Sequence, residues 1–404
     1  MMLDSPHLPP LLQASSRLKG WLHLTALPLW RSNAFDAERG FAESLDLNGE
    51  ATRVHRRSRV QPRQIYCFAE AGVRGWSGDW SNPVQSGLAY FDQVYRLPNG
   101  FYGALATFEG RLIDESFDLY NQAFAILAFC YTAKAIPGLA PEMSGRALRL
   151  LEALRCDYAH QKAGFHEARP ERLPLCSNPH MHLFEAALAC EEQAGFDSEI
   201  WGALADEIAE LCMSRFIDGR SGALREFFDG DWRPALGIKG RIVEPGHQFE
   251  WSWLLAIWAE RRRRSDALSV AKRLFQIGVT HGICPERGVA VMSLLDDFSV
   301  HDPLARLWPQ TEWLKSAVRL ATISKGEERE YYLASARNAV RALDLFLDVP
   351  LAGGWRDKLD KTGRFEEEPA PGSSFYHIVC AIYELEDRMR QIAGASGSAA
   401  HPLI

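Results

Sequence analysis

A glycine recurs through this 404-residue chain at near-regular intervals, and each one opens a short strand-like piece. Successive first glycines are 60, 64, 58, 66 and 65 residues apart. A repeat of this length holds two helices and their connections, which is the pattern of a repeat architecture. The sequence therefore predicts six helical hairpins. The glycines are Gly40, Gly100, Gly164, Gly222, Gly288 and Gly353.

Apolar residues at mixed spacings of three and four predict amphipathic helices between these glycines. A hairpin that cannot bury its own apolar face stacks on its neighbours, and six hairpins can close into a ring. We therefore predict an all-α fold, an (α/α)6 barrel with short β-hairpins at one rim. An open solenoid is the alternative, but apolar faces on the terminal helices argue against it. The helical stretches are 117–135, 145–158, 201–216, 308–324 and 329–347.

Length and composition fit one large catalytic domain. The hydrophobic fraction is 47%, enough to bury a sizeable core, and the formal net charge is −7. We predict a single domain over residues 1–404, with disordered ends at 1–10 and 393–404. The densest basic run, 261–264, is interpreted as the solvated end of a helix, so no nucleic-acid partner is expected.

The remaining composition indicates a cytoplasmic protein. Eight scattered cysteines with no C-x-x-C pair predict reduced, mostly buried thiols. Residues 1–10 lack the pattern of an export signal, and no apolar run reaches the roughly 18 residues that span a bilayer. We expect no membrane partner, and either a monomer or a homodimer.

Two segments place a histidine and a carboxylate three residues apart behind a proline: NPHMHLFE at 178–185 and EPGHQFEW at 244–251. Proline favours the first helical turn, and residues three apart share a helix face. Each segment therefore directs an imidazole and a carboxylate from the start of a helix. Histidine can take and return a proton near neutral pH, so the pattern indicates proton transfer.

These segments, with WPQTE at 308–312, GGWRD at 353–357 and FYH at 375–377, resemble the N-acylglucosamine 2-epimerase family. The family also contains cellobiose 2-epimerases, mannose isomerases and sulfoquinovose isomerases. The resemblance runs from about residue 31 to residue 384. It implies an (α/α)6 barrel whose funnel holds a free sugar, with chemistry that needs no metal and no redox cofactor.

Matched position by position, the resemblance implies a set of catalytic residues. His247 and His377 match the acid/base pair, and His182 matches a third active-site histidine. Glu250 would hold His247 in its productive tautomer. Arg53 matches an arginine near the reacting oxygens, where a fixed positive charge can stabilise an enediolate.

The same matching implies residues that bind the sugar. Asn178 would bond hydroxyl groups, aromatic rings would line the funnel, and Gln310 and Glu312 would support its floor. The aromatic candidates are Tyr120, Trp355, Trp251 and Trp308.

Each assignment has a structural alternative. His180 is interpreted as a satisfied core residue, and Glu250 could serve the helix dipole. Arg53 could belong to a surface cluster with Arg56, Arg57 and Arg59. The aromatic residues could fill the core.

Several functions stay open from the residues. Aldose–ketose isomerisation of a free hexose, mannose to fructose, is the first hypothesis, and N-acylglucosamine 2-epimerisation is the second. An (α/α)6 glycoside hydrolase would need two carboxylates flanking one bond, whereas this chain concentrates histidines. A non-catalytic sugar-binding protein and a metal-dependent isomerase also stay open, although His-x-x-Glu is not a zincin spacing.

Overall fold

A computed structural model describes residues 5–398 of the protein, with side chains as far as residue 394. Helices dominate the described residues. They are α1 (Leu8–Trp21), α2 (Leu27–Leu29), α3 (Val60–Val73), α4 (Ser81–Tyr95), α5 (Leu119–Ala135), α6 (Ala140–Tyr158), α7 (Ser177–Glu192), α8 (Ser198–Leu211), α9 (Pro245–Arg262), α10 (Ser265–Gly282), α11 (Leu307–Ile323), α12 (Gly326–Leu347) and α13 (Gly372–Ser398). Wider π-helical turns are Leu22–Ala26, Trp30–Ala34 and Cys212–Phe216, and short 3-10 turns are Pro137–Leu139 and Lys239–Arg241.

The structure at the two ends of the chain differs from the predicted disorder. The sequence predicts disorder over residues 1–10 and 393–404, but α1 begins at Leu8 and α13 continues to Ser398. Leu8 and Leu11 are buried, which explains why the first helix is ordered. Residues 1–4 and 399–404 lie outside the described residues.

Helices that are buried almost all round alternate along the chain with helices that bury one face. In α3 every residue from Val60 to Ala71 is buried, whereas α4 buries seven of its 15 residues. The same contrast separates α5, α7, α9 and α11 from α6, α8, α10 and α12. An inner helix surrounded by protein needs apolar residues on all sides, whereas an outer helix needs one apolar stripe.

The described residues divide into two compact units, each built from several chain segments. The first unit takes its residues from Met1–Ala26, Val243–Glu368 and His377–Ile404. The second takes them from Leu27–Ile242 and Pro369–Tyr376. That the whole chain forms one domain stays a prediction.

Within each unit a buried helix packs against its own outer partner and against the next buried helix. In the second unit α3 packs on α4 and α5, α5 on α6 and α7, and α7 on α8. In the first unit α9 packs on α10 and α11, α11 on α12, and α1 on α12. The predicted helical hairpins are therefore confirmed in both units.

Short antiparallel strands join the hairpins. The paired sets are β1 with β2, β3 with β15, β4 with β5 and β6, β7 with β8, β9 with β10, β11 with β12, and β13 with β14. The strands are β1 (Phe35–Asp36), β2 (Gly40–Phe41), β3 (Ser44–Leu45), β4 (Arg56–Arg57), β5 (Leu105–Ala106), β6 (Leu112–Asp114), β7 (Leu175–Cys176), β8 (Phe227–Phe228), β9 (Ile283–Cys284), β10 (Val289–Ala290), β11 (Ser293–Leu294), β12 (Val300–Asp302), β13 (Ala305–Arg306), β14 (Lys358–Leu359) and β15 (Ala370–Pro371).

All six repeat glycines have a positive φ, between 66° and 88°. Only glycine adopts this left-handed conformation without a steric cost, which explains why the repeat is marked by glycine. Each one turns the chain into the strand-like piece that precedes the next inner helix.

A side chain near the start of several inner helices binds the backbone of the preceding strand piece. In α3, Gln61 accepts a hydrogen bond from Phe41 N and donates one to Phe41 O, both at 2.8 Å. Because both groups are buried, an unmade bond here would leave a costly unsatisfied polar atom. The same two bonds join Gln122 to Tyr102 and Gln310 to Ala290.

Two further properties concern the described chain as a whole. Five of the eight cysteines are buried, which confirms the predicted character of the thiols. A search of the described helices for a segment with the length and hydropathy of a membrane span finds no candidate.

Candidate active site

Two of the predicted histidines lie in the first unit beside the same tryptophan ring. The ring centroid of Trp308 is 5.1 Å from that of His247 and 5.8 Å from that of His377. His247 is the third residue of α9, Trp308 the second of α11 and His377 the sixth of α13. Three helix starts therefore bring together side chains that are distant in the sequence.

The Pro-Gly pair before His247 makes this packing possible. Pro245 is the first residue of α9, where its fixed φ and missing N–H suit a helix start. A Cβ atom at residue 246 would lie 2.4 Å from the ring of Trp308. Gly246 is therefore required for the ring to lie against the helix.

His377 is bound by a buried carboxylate that a lysine also contacts. Nδ1 of His377 lies 2.8 Å from Oε1 of Glu312, and Oε2 of Glu312 lies 2.7 Å from Nζ of Lys315. Glu312 and Lys315 have no exposed surface. A carboxylate that accepts from Nδ1–H holds the neutral imidazole in the tautomer whose Nε2 is basic.

The structure adds a second carboxylate beside His247. Oε2 of Glu244 lies 3.4 Å from Nδ1 of His247, three residues earlier in the chain. Glu250, by contrast, groups with Glu312 and His377, and one ligand atom from each lies within 4.8 Å of the others. The role of Glu250 in orienting His247 stays a prediction. The sequence analysis predicts no role for Glu244, although Glu244 is the first residue of the segment 244–251 that contains His247.

Two carboxylates and an imidazole at this spacing are also ligand types for a divalent cation. The ammonium of Lys315, at 2.7 Å from Glu312, already supplies a positive charge to the group. Glu312 therefore pairs with both Lys315 and His377, and independence of a metal stays a prediction.

The third predicted histidine lies in the second unit among aromatic rings. The ring centroid of His182 is 4.7 Å from that of Tyr120 and 4.6 Å from that of Phe124. Its Nδ1 lies 3.4 Å from Oε2 of Glu185, one helical turn further along α7. The hydroxyl of Tyr376 donates to the same oxygen of Glu185. His182 and Tyr120, two of the candidate site residues, are thus in contact.

A buried arginine that the sequence did not single out completes this second group. Arg63 on α3 is 4% exposed, and its guanidinium carbon lies 4.2 Å from the ring centroid of Phe124. It donates to the carbonyl of Ser373 at 3.1 Å and to the hydroxyl of Tyr120. Over the described part of the chain, Arg63 contacts no carboxylate, and its Nε is buried without a hydrogen-bond partner. A neighbouring anion would stabilise such a charge.

Arg53, the arginine predicted from the sequence, lies elsewhere. It is exposed, and its guanidinium carbon lies 5.3 Å from the ring centroid of Phe108, over which Arg39 and Arg56 also pack. This exposed position fits the surface-cluster alternative, and a role for Arg53 near the reacting oxygens stays a prediction.

Asn178, the second residue of α7, is half-buried. Its Oδ1 is buried and has no hydrogen-bond partner among residues 5–394. This oxygen can accept a bond from a hydroxyl group, which agrees with the predicted binding role.

Other predicted sugar contacts are already engaged in the fold. Gln310 has no exposed surface, and its amide bonds Ala290 and the carbonyl of Arg306. Trp251 likewise has no exposed surface, and Trp355 is 3% exposed. Gln310 therefore holds a strand to α11, and Trp251 packs in the core; their roles in binding the sugar stay predictions. A role for Trp355 stays a prediction.

His180 is confirmed as a core residue. Its Nε2 accepts from Phe165 N at 3.0 Å, and its Nδ1 lies 3.0 Å from the carbonyl of Cys176. Complete burial lowers the pKa of His180 to about 4, with smaller opposing effects from these backbone bonds. It occupies the fourth position of α7, as Gln122 does in α5 and Gln310 in α11.

Comparisons with known proteins agree with this arrangement. The profile of the N-acylglucosamine 2-epimerase (GlcNAc 2-epimerase) family matches residues 40–381. A protein of Rhizobium meliloti named mannose-6-phosphate isomerase is 62% identical over 94% of this chain and 98% of its own length. A protein of Marinomonas mediterranea named D-mannose isomerase is 23% identical over 87% of this chain and 91% of its own length. A crystal structure of D-mannose isomerase has a TM-score of 0.84 at 20% identity, covering 92% of this chain and 97% of that one.

The fold is therefore the predicted (α/α)6 barrel of epimerases and isomerases, and the protein is an enzyme of the carbohydrate isomerase and epimerase class. The chain belongs to the N-acylglucosamine 2-epimerase family.

Proposed function

We propose that this chain isomerises an aldohexose of mannose configuration to the corresponding 2-ketose by histidine-mediated proton transfer. The observation that carries the proposal is that the rings of His247 and His377 both lie against Trp308, with Nδ1 of His377 2.8 Å from Oε1 of Glu312. Two imidazoles can supply both the base and the acid that this reaction requires.

The reaction opens the hemiacetal ring and then moves one proton. A basic Nε2 takes the proton from carbon 2, the electron pair forms the carbon 1–carbon 2 double bond, and the carbonyl oxygen on carbon 1 gains a proton from an acid. The resulting cis-enediol loses the proton on oxygen 2 and gains one at carbon 1. One imidazole of the pair can return the proton that it removed, so atoms and charge balance.

The developing negative charge on the sugar oxygens needs a positive partner. Arg63 is suited to this role because it is a buried guanidinium whose described contacts are neutral. A catalytic role for His182 remains a prediction.

The choice of sugar rests on the relatives. The 62% identical protein is named for mannose 6-phosphate, and the relative at 23% identity for free mannose. Mannose 6-phosphate is therefore the first substrate to test, and free mannose, the sugar expected from the sequence, is the second. Epimerisation of N-acylglucosamine at carbon 2 is the runner-up.

Incubation in deuterated water followed by NMR distinguishes these substrates and reactions. The protein is given mannose 6-phosphate, mannose or N-acetylmannosamine, with and without a chelator. We expect a ketose product with deuterium at carbon 1, at a rate that the chelator leaves unchanged. Deuterium at carbon 2 of an epimeric aldose would replace isomerisation with epimerisation. No exchange with any of the three sugars would overturn the proposal.

A further inference from the structure

Lys315 is a fully buried lysine on the helix that carries Glu312. It lies one helical turn after Glu312 in α11, and neither side chain has exposed surface. Lysine is almost never fully buried unless it is paired, because removing an ammonium ion from water is costly. An apolar side chain could fill the same space without that cost, so the charge itself calls for an explanation.

The surroundings of Lys315 hold its ammonium against one oxygen of Glu312. Nζ lies 2.7 Å from Oε2 of Glu312 and 3.8 Å from the ring centroid of Trp253 on α9. An aromatic face attracts a cation, and the attraction is larger where water is excluded. The other oxygen of Glu312 contacts His377. Glu312 thus links the lysine to the imidazole.

We propose that Lys315 is a positioning residue of the active site: its ammonium keeps Glu312 ionised, and the ionised carboxylate holds His377 in the tautomer with a basic Nε2. The catalytic part of this inference rests on the proposed function. The structural part concerns the hydrogen bond between Glu312 and His377, which can be observed without turnover.

The charges around His377 explain why Glu312 needs this partner. Glu250 on α9 and Glu312 on α11 place carboxylate oxygens within 4.8 Å of each other and of the His377 ring. Two buried like charges this close repel each other. The ammonium of Lys315, 2.7 Å from Glu312, offsets that repulsion. His247 lies on α9 one helical turn before Glu250, and its ring centroid is 5.1 Å from that of Trp308.

A neutral Glu312 would reverse the hydrogen bond to His377. A protonated carboxyl can donate, and Nδ1 would then accept. The imidazole proton would move to Nε2, and that nitrogen could no longer act as a base. The buried lysine therefore keeps His377 as the donor and Glu312 as the acceptor of their hydrogen bond.

The test compares Lys315→Met with Lys315→Arg and with Ser316→Ala. Ser316 is the next residue of α11, is fully buried and bonds Ser252 Oγ at 2.8 Å, so its variant disturbs packing without changing charge. The first readout is the ring-nitrogen NMR spectrum of His377 in histidine-labelled protein, assigned with His377→Asn. We expect Lys315→Met to shift the ring toward an Nε2–H or doubly protonated state, and Ser316→Ala to leave it unchanged.

Turnover is the second readout. We expect Lys315→Met to lower kcat by about 10- to 100-fold, as for groups that orient a reacting side chain, with KM nearly unchanged. Lys315→Arg should recover part of the loss. The double variant Glu312→Gln with Lys315→Met removes both charges and so avoids an unpaired buried ion.

Because Lys315 acts through Glu312, adding Lys315→Met to Glu312→Gln should change neither the His377 spectrum nor kcat further. An unaltered His377 spectrum in Lys315→Met would overturn the inference, as would a further loss of kcat in the double variant. Absence of sugar turnover in the parent protein would instead contradict the proposed function, and the spectra would still decide the role of Lys315.

Discussion

The buried charges in the two histidine groups of this protein have different partners. In the first unit Glu312 has an imidazole at 2.8 Å on one oxygen and an ammonium at 2.7 Å on the other. In the second unit the guanidinium of Arg63 lies against aromatic rings and neutral acceptors. In the first group the carboxylate is paired with a cation, whereas in the second, over the described residues, Arg63 makes no ion pair although the carboxylate of Glu185 belongs to the same group.

The difference indicates two tasks. A network with its own counter-charge can fix a tautomer and return to the same state after each proton transfer. A buried guanidinium beside neutral groups gains most when negative charge develops next to it, because burial strengthens the attraction. We therefore expect proton transfer to depend on the first group, and the contribution of the second group to depend on the charge of Arg63.

Removal of either imidazole in the first unit should have the largest effect. His247→Asn and His377→Asn keep a polar side chain but cannot act as acid or base near neutral pH. We expect turnover to fall by about 10²- to 10⁴-fold, the range that general acid–base catalysis contributes, with substrate binding retained. Steady-state kinetics and calorimetric titration with the sugar measure the two quantities.

His301→Asn is the control for these variants, because His301 is exposed. His182→Asn is the comparison that matters, since it removes an imidazole from the second unit. If His182→Asn lost as much turnover as His377→Asn while His247→Asn lost little, the proton-transfer pair would be wrongly assigned.

Arg63→Met should have the next largest effect. It keeps the length of the side chain and removes the charge, so we expect kcat to fall by about 100-fold, as for the loss of one oxyanion-stabilising donor. The matched control is Arg53→Met, the arginine that the sequence indicated. Its exposed position predicts nearly parental turnover. Kinetics in which Arg53→Met is the impaired variant would restore the original assignment.

The hairpin repeat could be predicted because its cause is local. Each repeat needs one residue in a left-handed turn, and glycine is the residue that takes this conformation freely, as at Gly40 and Gly353. The spacing of the glycines therefore predicts the helical hairpins directly. The order of α1 from Leu8 was missed because it depends on burial of Leu8 and Leu11, a tertiary property.

The candidate site was only partly predictable. Histidines behind proline could be found because motif and helix start coincide, as at His247. The choice between Arg53 and Arg63 could not be made, since both lie near one basic segment and only packing separates them. The structural bonds of Gln310 were missed for a similar reason. Gln310 follows its backbone partner Ala290 by 20 residues, as Gln61 follows Phe41. This common spacing indicated a structural role for the glutamine.

The smallest expected effect concerns His180, the histidine of α7 that serves the fold. Burial lowers its native pKa from 6.5 to about 4, so between these values the unfolded chain binds a proton that the native state does not. The free energy of unfolding therefore decreases as the pH falls from 6.5 toward 4.

His180→Gln removes this titration, and glutamine makes the equivalent bonds at residues 61, 122 and 310. Between about pH 7 and pH 5.5 we expect the variant to lose about 1 kcal/mol less than the parent in urea denaturation. His301→Gln should follow the parent. Equal losses in parent and His180→Gln would show that His180 does not stay neutral in the native protein, and the contrast between His180 and the catalytic histidines would fail.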